Sequence, residues 1–176
     1  MTRYATAGFT LIEVLLVVTL IGILSAIAIP IVARSRAVAL EASTIGSLRA
    51  LHSAQTTFAT SCAGGFYSPS VAVLRQRTGA APFIGPEFTA NTVDRHGYRI
   101  RFTAGSRAAL APRTCNGLAR NRAVQDFFVA ADPLAVPNQI VARHFGVNAK
   151  GVIFQSERRI RPVYNADPPA PAVPIR

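Results

Sequence analysis

GFTLIEVLLVVTLIGILSAIAIP, Gly8 to Pro30, is the stretch on which the reading of this chain turns. From Phe9 to Ile29 the only charge is Glu13. These 21 residues, at about 1.5 Å each, give a helix of roughly 31 Å, the thickness of a bilayer's hydrocarbon core. The spacing therefore predicts a membrane-spanning helix. An acidic side chain within it costs roughly 2.5 to 3.5 kcal/mol on insertion scales and is retained mainly where it finds a partner.

The order of the parts is unusual. An ordinary secretory signal places its small-residue cleavage site after the apolar run, whereas Gly8 stands before it, so a cut there leaves the helix on the protein. Gly8, Phe9, Thr10, Leu11, Ile12 and Glu13, followed by unbroken hydrophobics, resemble the start of the bacterial type IV pilin and type II secretion pseudopilin family. The resemblance covers about 30 residues. It implies a prepilin peptidase that cuts between Gly8 and Phe9 and N-methylates Phe9, and it places on Glu13 the glutamate that guides assembly. It also implies a non-enzymatic structural subunit without cofactor, whose partners are other pilin or pseudopilin subunits, the peptidase and an inner-membrane assembly platform. The expected location is the bacterial inner membrane, single-pass with a periplasmic C-terminal domain, and then a pseudopilus or pilus.

Glu13 has two readings that hold together. The Phe9 amine of an adjoining subunit would neutralise it within the membrane, so that a wrongly staggered neighbour leaves a charge unpaired. Thr10-x-x-Glu13 is also a capping box, and a carboxylate suits the positive end of a helix. Further along, Gly22 and Ala26 form a small-xxx-small pair beside Ser25, which permits close helix approach in lipid. Pro30 removes one backbone hydrogen bond and predicts a kink or loosening over residues 26–30. In the resembling family a glycine and a proline here permit local melting, and Gly22 and Pro30 fit that pattern.

The remainder is enough for one modest domain. The division expected is a leader over 1–8, a membrane and assembly helix over 9–30, a periplasmic pilin-like domain over 31–161 and a proline-rich tail over 162–176. The net charge is +11, and 18 of the 19 basic residues are arginine. That balance predicts attraction to nucleic acid, anionic headgroups or an acidic partner. Arg34 and Arg36 outnumber Arg3 across the apolar run, which by charge count favours the opposite orientation to the one that the resemblance implies. Cys62 and Cys115 lie beyond the membrane segment without CxxC or zinc spacing, and read as a disulfide or as two buried thiols.

From Ile31 to about Thr60, Ile45, Leu48, Leu51, Ala54 and Phe58 recur at helical spacing, so one face should hold the globular domain while Arg34, Arg36, Glu41 and Arg49 stay solvated. The first and second halves then make one helix of about 50 residues, with a loop over 61–69 and a short helix over 70–77. Tyr98, Ile100 and Phe102 alternate with Arg99, Arg101 and Thr103 as in a half-buried strand. A second strand is expected over 124–131, and a hairpin from 139–147 and 151–155 about Asn148-Ala149-Lys150. The fold class is α+β: a pilin-like lollipop whose long helix packs on an antiparallel meander of about four strands. Residues 105–122, with four arginines around Cys115, read as a surface excursion, and 162–176, with five prolines, as an extended or disordered tail.

Catalytic patterns are lacking: there is no GxSxG, GxGxxG or P-loop. His52, His96 and His144 are scattered, and Asp126, Asp132, Glu157 and Asp167 are isolated among arginines, so no metal site is expected, including the calcium site common in major pseudopilins. The rivals to an assembling subunit are a minor pilin whose Arg99–Arg101 face binds DNA for uptake, and a single-span protein that never assembles and whose periplasmic domain binds a ligand or partner.

Overall fold

The structure is a computed structural model that describes residues 8–76, 81–134 and 143–175. The expected leader with Arg3, the start of the expected 139–147 strand, and the ends of the short helix at Arg77 and of the tail at Arg176 lie outside or partly outside the described residues.

Helix α1 runs over Leu11–Ser61 without a break, through Pro30. Its N-cap is Thr10, whose Oγ1 accepts the Glu13 amide hydrogen at 3.3 Å. Its end is made by Gly64 and Gly65, both at positive φ, with the Gly65 amide returning to the Ala59 carbonyl at 2.8 Å. The helix has two chemical halves. Up to residue 40 nothing is buried; from there Glu41, Thr44, Leu48, Leu51, Gln55 and Phe58 recur on one stripe and disappear beneath the sheet. A second helix, α2 (Val71–Arg75), is capped by Ser70 and adds Val71 and Leu74 to the core.

The sheet is an antiparallel meander in sequence order: β1 (Thr92–Arg95), β2 (Tyr98–Ala104), β3 (Phe127–Pro133), β4 (His144–Asn148), β5 (Ile153–Ser156) and β6 (Val173–Pro174). The alternation along β2 sets the two faces. Tyr98, Ile100 and Phe102 point at α1 with Phe127, Val129, Ala131, Phe145, Val147 and Ile153, making one core with the helix stripe. Residues Asn148 to Gly151 turn the β4–β5 hairpin, with Gly151 at φ +82 and its amide bonded to the Asn148 carbonyl.

The sheet has six strands where four were expected. β1 escapes a pattern search because its Asp94 and Arg95 are polar; it is fixed by a two-residue turn at His96-Gly97, both at positive φ, the geometry that matches strand twist. β6 comes from the proline-rich end, which is extended as expected but pairs with β5 through Val173 and Pro174. The proline without its donor sits at a sheet edge, where it costs least.

The outer face of the sheet is covered too. Phe128, Ala130 and Phe154 form a second small core with Ile160, and Tyr164 and Ala172 pack against it. The segment after β5 therefore crosses back over the sheet as a strap. Asn148 Nδ2 donates to the Ala166 carbonyl at 3.0 Å, and Asn165 Nδ2 to Asp126 Oδ2 at 2.7 Å. Gly146 makes room for the Phe128 ring of this core: a Cβ there would stand 2.6 Å from its tip.

Candidate functional site

The first region with functional chemistry is the bare half of α1. Gly8 and Phe9 precede the cap, and Phe9 is 84% exposed. Leu11, Ile12, Leu15, Val18, Ile23, Ile27 and their neighbours are likewise exposed, an apolar surface that the chain's own fold leaves uncovered. From Phe9 to Ile29 no charge relieves it except Glu13. Among the described residues its carboxylate has no hydrogen-bond or ion-pair partner, while its amide serves the Thr10 cap. Leu11, Val14, Leu15 and Val18 share one apolar face with Phe9, and Glu13 points away from that face. Gly22 and Pro30 stand on the same bare half, and nothing lies within 4 Å of a Cβ placed on Gly22.

Cys62 and Cys115 are bonded to each other, and the Cys115 amide also donates to the Cys62 carbonyl at 3.1 Å. The bridge joins the C-terminal end of α1 to the 105–122 excursion, whose apolar interior is Ala108 and Ala111 against Ala123, with Phe66 and Leu118 alongside, and whose buried Asn116 donates from Nδ2 to the Val73 carbonyl at 2.7 Å.

One expected solvated residue is not solvated. Glu41 is buried and its carboxylate takes the Arg143 guanidinium, which also donates to Gln155 Oε1 at 2.6 Å. The reason is geometric: Glu41 precedes Ile45 by four and Leu48 by seven, so it lies on the buried stripe and faces β4 and β5. Arg143 remains partly exposed, which lowers the cost of the pair. Nearby, the buried Tyr98 hydroxyl has no hydrogen-bond partner among the described residues. Burial pushes its phenol up to about 12, with the Glu41 charge pushing the same way and Arg143 against it. An unfolded tyrosine ionises first, so this contribution to stability is whole below about pH 10 and is lost as the pH rises towards 12. Tyr98→Phe should raise stability near neutral pH by about 1 kcal/mol, by removing an unsatisfied buried hydroxyl, and flatten the alkaline limb. Denaturant unfolding of both proteins near neutral pH and near pH 11 checks this; parallel pH profiles would defeat it.

The second region is on the outer side of the sheet. Asp132, read as lying among arginines, is a hub for basic groups: it takes Arg101 and Arg159, the latter at 3.1 Å, and His144 Nδ1 lies 2.8 Å away. Arg101, Arg158, Arg159 and Arg161 border a groove of about 720 Å³ floored by Ala130 and Ile160. Arg99, read with Arg101 as a solvated face, pairs with Asp94 across the β1–β2 hairpin, and its guanidinium holds the Asp94 carboxyl below the usual range. Residues 158–161 carry a sequence signal, three arginines in four positions, but only the strap places them opposite Arg101.

A long helix, bare and apolar in its first half and packed in its second on an antiparallel sheet, defines a pilin-like α+β fold. The chain carries the N-terminal methylation motif of the type IV pilin and pseudopilin family: residues 3–29 match the family model described as the prokaryotic N-terminal methylation motif. Behind the motif, α1 is long and apolar enough to cross a membrane. No curated protein and no solved structure matches the chain.

Proposed function

We propose that this chain is a structural subunit, a minor pilin or pseudopilin, of a type IV pilus or a type II secretion pseudopilus. The observation that carries the reading is the uncovered apolar surface of α1 with Glu13 set in it. A lipid bilayer satisfies that surface but not the carboxylate; a neighbouring helix whose Phe9 amine approaches Glu13 satisfies both. Residues 1–8 then act as the leader, 9–30 as the membrane and assembly helix, and the remainder as a periplasmic domain to which the proline-rich end is strapped. The work of the subunit is non-covalent, and the motif's match over residues 3–29 supports processing at Gly8 and methylation of Phe9.

Glycine at position 8 presents no side chain to a peptidase at the membrane edge. Intact-mass and N-terminal analysis of protein from its native host should show a chain that has lost Met1 to Gly8 and begins at a methylated Phe9. A chain that keeps its leader and remains monomeric in membranes would instead be a single-span protein that never assembles.

A further inference from the structure

We infer that the arginine groove on the outer side of the sheet is a docking surface for an acidic segment of a different protein subunit, and that a second copy of this chain is not its occupant. This inference rests on the assembly reading above. Four arginines, Arg101, Arg158, Arg159 and Arg161, border the groove; Arg101 and Arg159 share the one carboxylate of Asp132. Arg158, Arg159 and Arg161 are exposed, and neither Arg158 nor Arg161 has an ion-pair partner among the described residues. Guanidiniums are forked donors that hold carboxylates two bonds at a time, and the apolar floor of Ala130 and Ile160 gives a peptide backbone something to lie on. The lining holds no aromatic ring on which a nucleic acid base would stack, which favours a carboxylate-bearing peptide over a single-stranded nucleic acid.

A second copy lacks the complementary charge. Of the eight acidic residues, Glu13 lies in the membrane-length run, and Glu41, Asp126 and Asp132 are buried. Asp94 pairs with Arg99, and Asp167 faces Lys150 at 3.7 Å. Glu87 and Glu157 remain, far apart in sequence, in a chain of net charge +11. Helices bundled side by side would bring such domains together against their own repulsion, unless neighbours of opposite sign stand between them.

The test uses the full chain in detergent micelles with a fluorescent oligoglutamate peptide as probe, beside duplex DNA and vesicles containing an anionic phospholipid. Arg158→Ala with Arg161→Ala should weaken peptide binding about tenfold, whereas Arg120→Ala with Arg122→Ala, an equal loss of charge on the excursion, should change it less than about threefold. Equal losses in the two double variants would overturn the inference, since only net charge would then be read. So would duplex DNA or the vesicles binding more tightly than the peptide through Arg158 and Arg161. Self-association in the micelle should stay level or rise in the Arg158/Arg161 variant; a fall would make a second copy the occupant. Peptide binding is measured without a filament, so a chain that never assembles can pass this test, and an assembling chain can fail it.

Discussion

Glu13→Ala should leave the amount of protein in the membrane unchanged and nearly empty the filament fraction of it. The 20 other residues of Phe9 to Ile29 already suffice to span the bilayer, and removing the acid lowers the insertion cost by roughly 2.5 to 3.5 kcal/mol. Folding is also unaffected, because no side chain of the sheet reaches this half of α1 and the Thr10 cap uses the backbone amide of residue 13, which alanine keeps. What disappears is the charge that selects a neighbour's stagger. Comparing membrane levels with the sheared or crosslinked filament fraction for the two proteins reads this directly. Equal incorporation of both would reduce Glu13 to a residue of the cap.

Opening the Cys62–Cys115 bridge should cost about 4 kcal/mol on the chain-entropy account, a large share of the roughly 5 to 15 kcal/mol that holds an ordinary domain together. The bridge closes a loop spanning 53 residues, which includes α2, β1 and β2. The apolar interior of the excursion that it anchors is built of alanines, which bury little surface. Denaturant unfolding of the full chain, oxidised, reduced, and with both cysteines changed to serine, should give one lowered midpoint for the last two. Coincident midpoints for all three, or free thiols in protein exported to the periplasm, would remove the bridge from the account of stability.

Local repetition makes most of the architecture legible. The membrane-length run, the stripe from Ile45 to Phe58 and the alternation from Tyr98 to Thr103 each concern residues that share one element, so period and composition suffice to read them. The features that escape depend on partners distant in sequence. Glu41 reads as a solvated charge because its type outweighs its position, and Arg143, which makes its burial tolerable, lies 102 residues away. The strap escapes because five prolines resemble a free tail, yet β3 carries a hint: Phe127 and Phe128 are adjacent, and a strand apolar on successive residues has two covered faces. At the candidate site Gly8, Phe9 and Glu13 stand in one linear motif and are readable as such. The arginine groove is assembled from β2 and the strap, some sixty residues apart, and no linear pattern contains it.

In this structure α1 runs as one helix from its bare half, through Pro30, into the sheet, so helix alone joins the head to the anchor. Each residue added to a helix rotates the chain beyond it by about 100° and raises it by about 1.5 Å. The number of residues between Glu13 and Glu41 therefore fixes the compass bearing of the arginine groove relative to the carboxylate in the membrane. Length here is a direction: a chain one residue longer in this interval would keep every contact of its head and every apolar residue of its anchor, and would face its neighbours with a different side.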